Sequence, residues 1–364
     1  MQFPNFIERN PAVIQAEMKE QLEGLLGREL QPAQVEQLLL QFVAYQEILL
    51  LNRFNAGLAS SLLSFATAPI IDYIGELVAV ERLPASFAGT TVRFTLVGGH
   101  GSVVIPEGTR VSSSDGKAIF ATSDDVFAQP SVTEVDVHCL AMEAGTQSNG
   151  YEIGAINTIL DPLAFVSTVS NIGVTGGGAD VENDDSFRER IRLSPNQYTT
   201  AGSRGSYIFH AKSASPAIID VSVFSPIPGT VFIVPLIDES TADYAQVIAE
   251  VYRTCSAETV RPLTDNVVVA QPTPIEYEIK VNLTIYGNAN STEVQNAATQ
   301  RLREFASEAE KRLGQDIVIS RISCIARAEG VFDVEVVNPT SNMSVSENEY
   351  AKCTSITVNI IGSI

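Results

Sequence analysis

Few side chains in this sequence have the types and spacing that acid–base or metal chemistry requires. The chain has three histidines, His100, His138 and His210, and none has metal-ligand partners at H-E-x-x-H-like spacing. His138 precedes Cys139, which could suggest a nucleophile and its base, but adjacent residues of a strand point to opposite faces. The histidines therefore predict neither a metal site nor a catalytic pair.

The stretch from Asn171 to Arg192, NIGVTGGGADVENDDSFRERIR, offers three glycines and four carboxylates. The glycines could cradle a phosphate, but no G-K-S/T follows and carboxylates stand where donors would be needed. The carboxylates could bind calcium, although their spacing departs from an EF-hand loop and helix capping accounts for at least two of them. We therefore predict a turn and a capped helix, with the glycines as a hinge. The glycines are Gly176, Gly177 and Gly178, and the carboxylates are Asp180, Glu182, Asp184 and Asp185.

Nucleophilic chemistry finds no better support. Gly202-Ser-Arg-Gly-Ser resembles a nucleophile elbow only loosely, because no apolar strand leads into it. The four cysteines are far apart and predict buried thiols in a reducing cytosol. We therefore predict no catalytic residue, no cofactor and no metal, and a protein that is not an enzyme. The cysteines are Cys139, Cys255, Cys324 and Cys353.

Composition limits the class of protein and of partner. At 364 residues, with 45% hydrophobic and 18% charged residues, the chain predicts several folded domains. Its net charge of −20, from 43 acidic and 23 basic residues, argues against nucleic acid or an anionic membrane as a partner. The charge serves solubility or a partner with basic surfaces. Neither a signal peptide nor a membrane-spanning run is evident, which predicts synthesis in the cytoplasm.

Helical periodicity dominates the beginning of the chain, from Pro11 to about Leu83. A second helix is predicted from Pro32 to Leu51, and a third segment is interrupted by Pro69. The second helix is more apolar than one core requires, so it belongs either to a local bundle or to an interface with another chain. The candidate interface residues are Val35, Leu38, Leu39, Phe42, Ile48 and Leu49.

In the rest of the chain the periodicity of the apolar residues is no longer helical throughout. Alternation from Thr90 to Gly178 predicts six to eight strands in a sandwich or partly open barrel, and strands and helices then alternate. One helix is predicted to start with a capping box, Thr292 with Gln295. Residues 216–226 resemble residues 329–339, which suggests tandem units. The predicted fold is α+β, multidomain, with a helical arm (1–88), an all-β module (89–178) and two tandem C-terminal α+β modules (179–272 and 273–364).

Several motifs, in order along about residues 60 to 240, resemble the baseplate J family of contractile phage tails. They are Ile71-Asp-Tyr-Ile-Gly-Glu-Leu-Val-Ala-Val-Glu-Arg, Ile105-Pro-Glu-Gly-Thr-Arg-Val, Ala144-Gly-Thr-Gln-Ser-Asn-Gly, Gly177-Gly-Ala-Asp-Val-Glu-Asn-Asp-Asp-Ser-Phe-Arg-Glu-Arg-Ile, Gly202-Ser-Arg-Gly-Ser-Tyr, Asp220-Val-Ser-Val and Pro228-Gly-Thr-Val. The sequence departs from the family pattern at Pro69. The family has no catalytic motif to carry over.

The resemblance implies a wedge subunit of a tail baseplate in the virion, made in the host bacterial cytoplasm. It implies helices that bundle with other wedge subunits, C-terminal modules that join neighbouring copies into a ring, and contacts with tail hub or sheath-initiator proteins. The subunit would switch conformation to trigger sheath contraction. Two alternatives stay open: a non-phage contractile injection system, such as a tailocin or secretion-type baseplate, and a β-rich carbohydrate-binding adhesin.

Overall fold

A computed structural model of the chain describes residues 4–7, 10–32, 34–130, 132–199, 201–238 and 244–364. These residues have the predicted α+β, multidomain class, with N-terminal helices, a central β module and two C-terminal α+β modules. Their internal contacts divide them into two compact units. The helical unit comprises residues 1–81 and 187–191, and the larger unit comprises residues 82–186 and 192–364. The predicted domain boundaries stay predictions.

The helical unit contains α1 (Pro11–Leu26), α2 (Val35–Ser60) and α3 (Ile70–Glu76). Helix α1 starts where the Asn10 side chain accepts a hydrogen bond from the Ala12 N–H, and it ends at Gly27 in the left-handed conformation. Helix α2 begins at Val35, later than the predicted start at Pro32, and continues past Leu51. Sequence periodicity therefore located α2 but misplaced both of its ends.

The β module has eight strands among the described residues, at the upper end of the predicted range. Six form one sheet in the order β7-β3-β4-β6-β1-β8, and β2 pairs with β5 in a separate two-stranded sheet. Strand β1 alternates buried and half-buried residues, which is the burial pattern that its sequence predicts. The strands are β1 (Phe87–Leu96), β2 (Val103–Ile105), β3 (Arg110–Ser113), β4 (Ile119–Thr122), β5 (Val126–Ala128), β6 (Glu134–Ala144), β7 (Ile156–Ile159) and β8 (Val166–Asn171).

The two edge strands of the six-stranded sheet, β7 and β8, approach each other, so the sheet nearly closes into a barrel. Asn171 joins these edges with a side chain that has no exposed surface. Its Oδ1 accepts from the Ile156 N–H at 2.9 Å, and its Nδ2 donates to the Glu152 carbonyl at 3.0 Å. One buried amide thus takes the place of missing ladder hydrogen bonds.

Downstream of the barrel the chain forms helices and two further three-stranded sheets. Helix α4 (Asp184–Leu193) precedes the first α+β module, in which α5 and α6 pack on one sheet and on each other. That module contains α5 (Arg204–Lys212), β9 (Ile218–Ile227), β10 (Thr230–Ile237), α6 (Tyr244–Cys255) and β11 (Asn266–Val269). The second contains β12 (Thr273–Ile285), α7 (Ser291–Glu310), α8 (Ile319–Ala326), β13 (Val331–Asn338) and β14 (Glu349–Ser363).

The repeated sequence marks one equivalent strand in the two modules, β9 and β13. Each is an edge strand, antiparallel to the central strand of its sheet, and each sheet has one parallel neighbour as well. The connections differ, because β9 continues directly into the central strand β10, whereas β13 continues into the opposite edge strand β14. The tandem modules therefore share a sheet pattern but differ in strand order.

The predicted capping box at Thr292 is wrong. Helix α7 has Asn290 as its N-cap, and the Asn290 side chain accepts from the Thr292 N–H at 3.1 Å. Asparagine caps helices at least as well as threonine, so the cap lies two residues earlier. Gln295 does not reach back to the helix start, since its Nε2 donates to the Val358 carbonyl of β14 at 2.7 Å.

Candidate assembly surface

The most prominent unpartnered surface on the described residues is one face of α2. Leu40 and Ala44 point into the helical unit and are buried, whereas large apolar side chains cover the other side. The exposed residues Val35, Leu38, Leu39 and Phe42 are spaced by three and four residues, which places them on one stripe of the helix. Four of the six predicted interface residues are at least 60% exposed: Val35, Leu38, Leu39 and Phe42. The other two, Ile48 and Leu49, are half-buried. We call Val35, Leu38, Leu39 and Phe42 the α2 stripe.

Helix α1 extends this apolar surface in a way that periodicity alone did not reveal. None of its residues is buried, and Leu25 is 86% exposed. An apolar groove of about 430 Å³ lies between α1 and α2. Its apolar lining residues are Met18, Leu22, Leu25, Leu39, Leu40 and Val43. Met18, Leu22 and Leu25 of α1 thus line an open groove and not a closed core.

The predicted hinge glycines pack closely against the β module. Gly176 exchanges two backbone hydrogen bonds with Gly89, at 2.7 and 3.1 Å. Gly177 has a φ of +86°, which favours glycine, and a Cβ at Gly178 would lie 2.3 Å from the Gly145 carbonyl oxygen. Glycine is thus required at position 177 by conformation and at position 178 by space. Their role as a hinge stays a prediction.

Three of the four carboxylates after the glycines bind backbone and arginine groups of the chain itself. Asp180 accepts from the Thr146 N–H at 3.0 Å, and Glu182 accepts from the Leu83 N–H at 3.0 Å. Asp184 forms a 2.7 Å ion pair with Arg82, while Asp185 is exposed in the first turn of α4. Each of the first three stabilises a loop or strand start, so they do not converge on a common centre.

The cap of α4 is Asn183, not one of the predicted carboxylates. Its Oδ1 accepts from the backbone N–H groups of Asp185 and Ser186 at 3.0 and 2.9 Å. Asp184 and Asp185 lie inside the first turn, where their charge interacts favourably with the helix dipole. The acidic run therefore stabilises the start of α4, although the hydrogen-bonding cap is a neutral amide.

The histidines are apart from one another. The ring nitrogens of buried His100 lie 2.5 and 2.8 Å from the Gly101 and Val132 carbonyl oxygens. His138 is exposed, whereas neighbouring Cys139 is buried, and burial raises the pKa of that thiol to about 12. Burial lowers the pKa of His210. A thiol that stays protonated beside an outward-facing imidazole cannot act as a nucleophile–base pair.

The remaining cysteines and serines have structural positions. Burial raises the pKa of the Cys255 thiol to about 12, Cys353 is half-buried, and Cys324 is exposed, so the prediction of burial is wrong for Cys324. All four thiols are free. Ser203 is the N-cap of α5 and accepts from the Ser206 N–H, which explains the resemblance of its surroundings to a nucleophile elbow.

Histidine, cysteine and carboxylate side chains of the described residues form no cluster that could hold a metal ion. No helix in this part of the chain has the length and apolar character needed to cross a membrane.

Sequence comparison gives four matches, one after another along the chain. The Baseplate J-like protein N-terminal domain matches residues 37–86, and the barrel domain matches residues 91–178. The Baseplate J-like central domain matches residues 199–271, and the C-terminal domain matches residues 277–359. Together these four ranges span most of the chain.

Two curated proteins are similar to the chain. Baseplate protein J of Escherichia phage P2 is 33% identical over 186 residues, which are 51% of this chain and 61% of the phage protein. The alignment thus spans less than two thirds of the phage protein. Putative protein JayE of Escherichia coli strain K12 is 24% identical over 238 residues, or 64% of this chain and 86% of JayE.

Among solved structures, a cryo-EM structure of the anti-feeding prophage baseplate matches with a TM-score of 0.44 and 13% identity. That match covers 94% of this chain and 90% of the other. The family assignment does not depend on it, since the four domain matches follow one another in sequence from residue 37 to residue 359. The chain belongs to the baseplate J-like family.

Proposed function

We propose that this protein is a structural wedge subunit of a contractile tail baseplate, and that the α2 stripe docks on helices of neighbouring baseplate proteins. The observation that carries the proposal is the exposure of Val35, Leu38, Leu39 and Phe42 on one helix face. A contiguous apolar face of this kind marks an interaction surface more often than a solvated one. Family membership supports a baseplate as the assembly in which such a partner would be found.

Energetics favour a helical partner for this surface. Full burial of one large aliphatic side chain contributes about 1.5–3 kcal/mol, so a few such residues suffice for a stable helix contact. The groove between α1 and α2 has the concave, apolar form into which ridges of a third helix fit. With a chain charge of −20, the polar rim of such a partner would be basic.

Copies of the subunit would join through their C-terminal modules into a ring around the tail hub. A closed ring requires a heterologous interface whose rotation, repeated from copy to copy, brings the last copy into contact with the first. Within that ring the subunit would hold the sheath extended until host contact changes the packing of its modules. The subunit has no catalytic part in this proposal. A baseplate of a non-phage injection device would use the same surfaces, and the neighbouring genes distinguish the two machines.

Co-expression with the products of neighbouring genes tests the docking surface. A tagged wild-type chain is expected to co-purify with a baseplate partner and to give wedge- or ring-shaped particles in negative stain. Leu38→Glu combined with Phe42→Glu would place two charges in the interface and is expected to abolish co-purification. The matched control is Leu263→Glu, at a position that is 95% exposed outside the helical unit. Circular dichroism checks that each variant folds.

Equal recovery of the partner by the α2 double variant and by the Leu263→Glu control would reject the docking surface. The switch has a separate test, which is imaging of tails before and after contraction. Unchanged relative positions of residues 1–88 and 273–364 in the two states would reject the switch but leave the structural role intact.

A further inference from the structure

Two sequence motifs that lie far apart in the chain meet in the helical unit. One includes Gly75 in α3, and the other includes residues 187–191 in α4. The compact helical unit contains both, although the whole β module separates them in sequence. The matched family domains end at residue 178 and resume at residue 199, so residues 187–191 lie outside all four. We call residues 187–191 the α4 segment.

Phe187 is the core residue of the α4 segment. Its side chain is fully buried, and it packs against Gly75. A Cβ on Gly75 would lie 2.6 Å from Phe187 Cζ and 2.6 Å from the Val80 carbonyl oxygen. Because such distances are far below van der Waals contact, the phenyl ring fits only where position 75 has no side chain.

Arg188 holds the chain just after α2. Its Nε donates to the Leu63 carbonyl at 2.8 Å, and its Nη2 donates to the Ala66 carbonyl at 2.7 Å. These carbonyls belong to the turn that follows α2, where backbone acceptors have no further helical N–H to bind. The planar guanidinium donates in a fixed geometry, so it sets the direction in which the chain leaves α2.

Arg190 makes a second attachment deeper in the helical unit. Only 4% of its surface is exposed, and its Nη2 donates to the Glu81 carbonyl at 2.5 Å. Its guanidinium carbon lies 5.6 Å from the centroid of the Phe187 ring, within the range of a cation–π interaction. A buried charge is tolerated only where such interactions compensate its lost hydration.

We propose that the α4 segment is a structural clasp of the helical arm, with Arg188 and Arg190 as positioning residues. The clasp fixes the end of α2 through Arg188 and the end of the α3 region through Arg190. Order in residues 61–81 therefore depends on α4, which follows the β module in sequence. The clasp itself is a property of the isolated chain. Only the docking role of the helix that it holds, α2, rests on the proposed function.

Hydrogen exchange with mass spectrometry on the full chain tests the clasp. Arg188→Ala combined with Arg190→Ala is expected to speed exchange in peptides from residues 61–81 by about tenfold or more, since local opening there loses its restraints. The control is Arg53→Ala, which removes an exposed arginine from α2 in the same unit and is expected to leave these peptides unchanged. Arg188→Gln keeps a hydrogen-bond donor on a shorter side chain. It replaces the double variant in this experiment if the double variant does not fold.

Two results would overturn the clasp. One is equal exchange of residues 61–81 in the arginine variants and the Arg53→Ala control. The other is a rise of the same size in residues 273–364, which would indicate general destabilisation of the chain. Neither result bears on partner capture by Leu38 and Phe42, so failure of the clasp and failure of the proposed function are distinguishable.

Discussion

A single buried amide, Asn171, closes the β module. Besides its bonds to Ile156 and Glu152, its Nδ2 donates to the Gly173 carbonyl at 2.7 Å. Three backbone groups on the two edges of the sheet therefore depend on one side chain. An unsatisfied buried polar group costs more than a net hydrogen bond contributes, so such a residue has a large effect on stability.

We expect Asn171→Ala to destabilise the β module by about 3 kcal/mol, because at least one buried backbone group loses its partner. Hydrogen exchange of peptides covering residues 150–172, measured over a urea series, reports that change. Asn157→Ala is the matched control, since Asn157 is exposed, donates to the Gly154 carbonyl at 3.2 Å and accepts from the neighbouring Thr158 hydroxyl at 3.2 Å. If Asn171→Ala lowers the stability of the β module no more than Asn157→Ala does, Asn171 does not hold the two edges of the sheet together.

Asp161 is a carboxylate whose charged form is stabilised by a neighbouring arginine. Arg110 donates to both of its oxygens, at 2.9 and 2.7 Å, and the Arg110 N–H donates at 3.0 Å. The arginine hydrogen bonds, followed by the backbone bond, lower the pKa of Asp161 to about 2. Because the folded pKa lies below the unfolded value of about 3.9, the pair stabilises the fold above pH 4 and loses this effect as pH falls towards 2.

Carboxyl-carbon NMR titration measures the Asp161 midpoint directly. The expected midpoint is near 2 in the wild type and close to the unfolded value in Arg110→Ala. Identical midpoints in the two proteins would show that Arg110 does not hold the carboxylate in solution.

Caps illustrate what sequence can predict at the scale of residues. The starts of α4 and α7 were located correctly to within a few residues, yet both caps are asparagines, Asn183 and Asn290. Asparagine, aspartate, serine and threonine all cap helices with similar free energies, so neighbouring candidates cannot be ranked by type. The capping-box prediction fails at Gln295 because the partner of its side chain, Val358, is remote in sequence.

At the scale of elements, the glycine turn before α4 has a specific steric requirement at Gly178. The Asn149 side chain donates to the Gly178 carbonyl at 2.8 Å and accepts from the Gly178 N–H at 3.0 Å. Any Cβ at Gly178 meets the backbone of Gly145, which directly follows β6 and whose N–H donates to the Ser86 carbonyl at 2.9 Å. Both backbone groups of Gly178, its N–H and its carbonyl, are therefore bonded to the β module.

Gly178→Ala is expected to destabilise the larger unit by about 1–3 kcal/mol through overpacking. Gly173→Ala is the control, because a Cβ there meets nothing within 4 Å. Thermal unfolding of the two variants, with barrel peptides followed by hydrogen exchange, gives the comparison. A stability of Gly178→Ala equal to that of Gly173→Ala would mean that the turn relaxes freely.

Strand order is the element-scale property that periodicity could not supply. Alternation identified the strands of the β module, and a repeat linked β9 with β13. The sequence pattern could not show that β10 is a central strand and β14 an edge strand, because pairing depends on contacts between strands and not on each strand alone.

At the scale of the whole molecule, packing of the two α+β modules involves Asp220 of β9. Its Oδ2 accepts from the Leu313 N–H after α7 at 3.0 Å, while its Oδ1 accepts from the Val221 N–H at 2.9 Å. We expect Asp220→Ala to speed exchange of the Leu313 amide, because that amide loses its acceptor. Exchange resolved to single residues measures this change.

Two variants sharpen the Asp220 experiment. Asp220→Asn retains one carbonyl acceptor and should restore part of the Leu313 protection. Asp333→Ala removes a carboxylate that is 65% exposed and should have no effect on Leu313. Unchanged Leu313 exchange in Asp220→Ala would indicate that the module contact is made by other groups.

The sequence predicted the class, the order of modules and the apolar face of α2, because these depend on local periodicity and on motifs. It could not predict that Phe187, Arg188 and Arg190 complete the helical unit. Their partners, Gly75, Leu63 and Glu81, lie before the β module, and no local pattern encodes such a contact. Long-range contacts of this kind are visible only once the chain is folded.

The discontinuous helical unit has a consequence for the order of events during synthesis. Residues 1–81 leave the ribosome before the α4 segment that completes their unit, which emerges only after the β module. Domains generally fold as units during translation, starting from the N-terminus. Here the helical unit stays incomplete until residue 191 has been made, and until then the carbonyls of Leu63, Ala66 and Glu81 lack their arginine donors. Binding of a partner or a chaperone during synthesis would protect the incomplete unit while the chain grows.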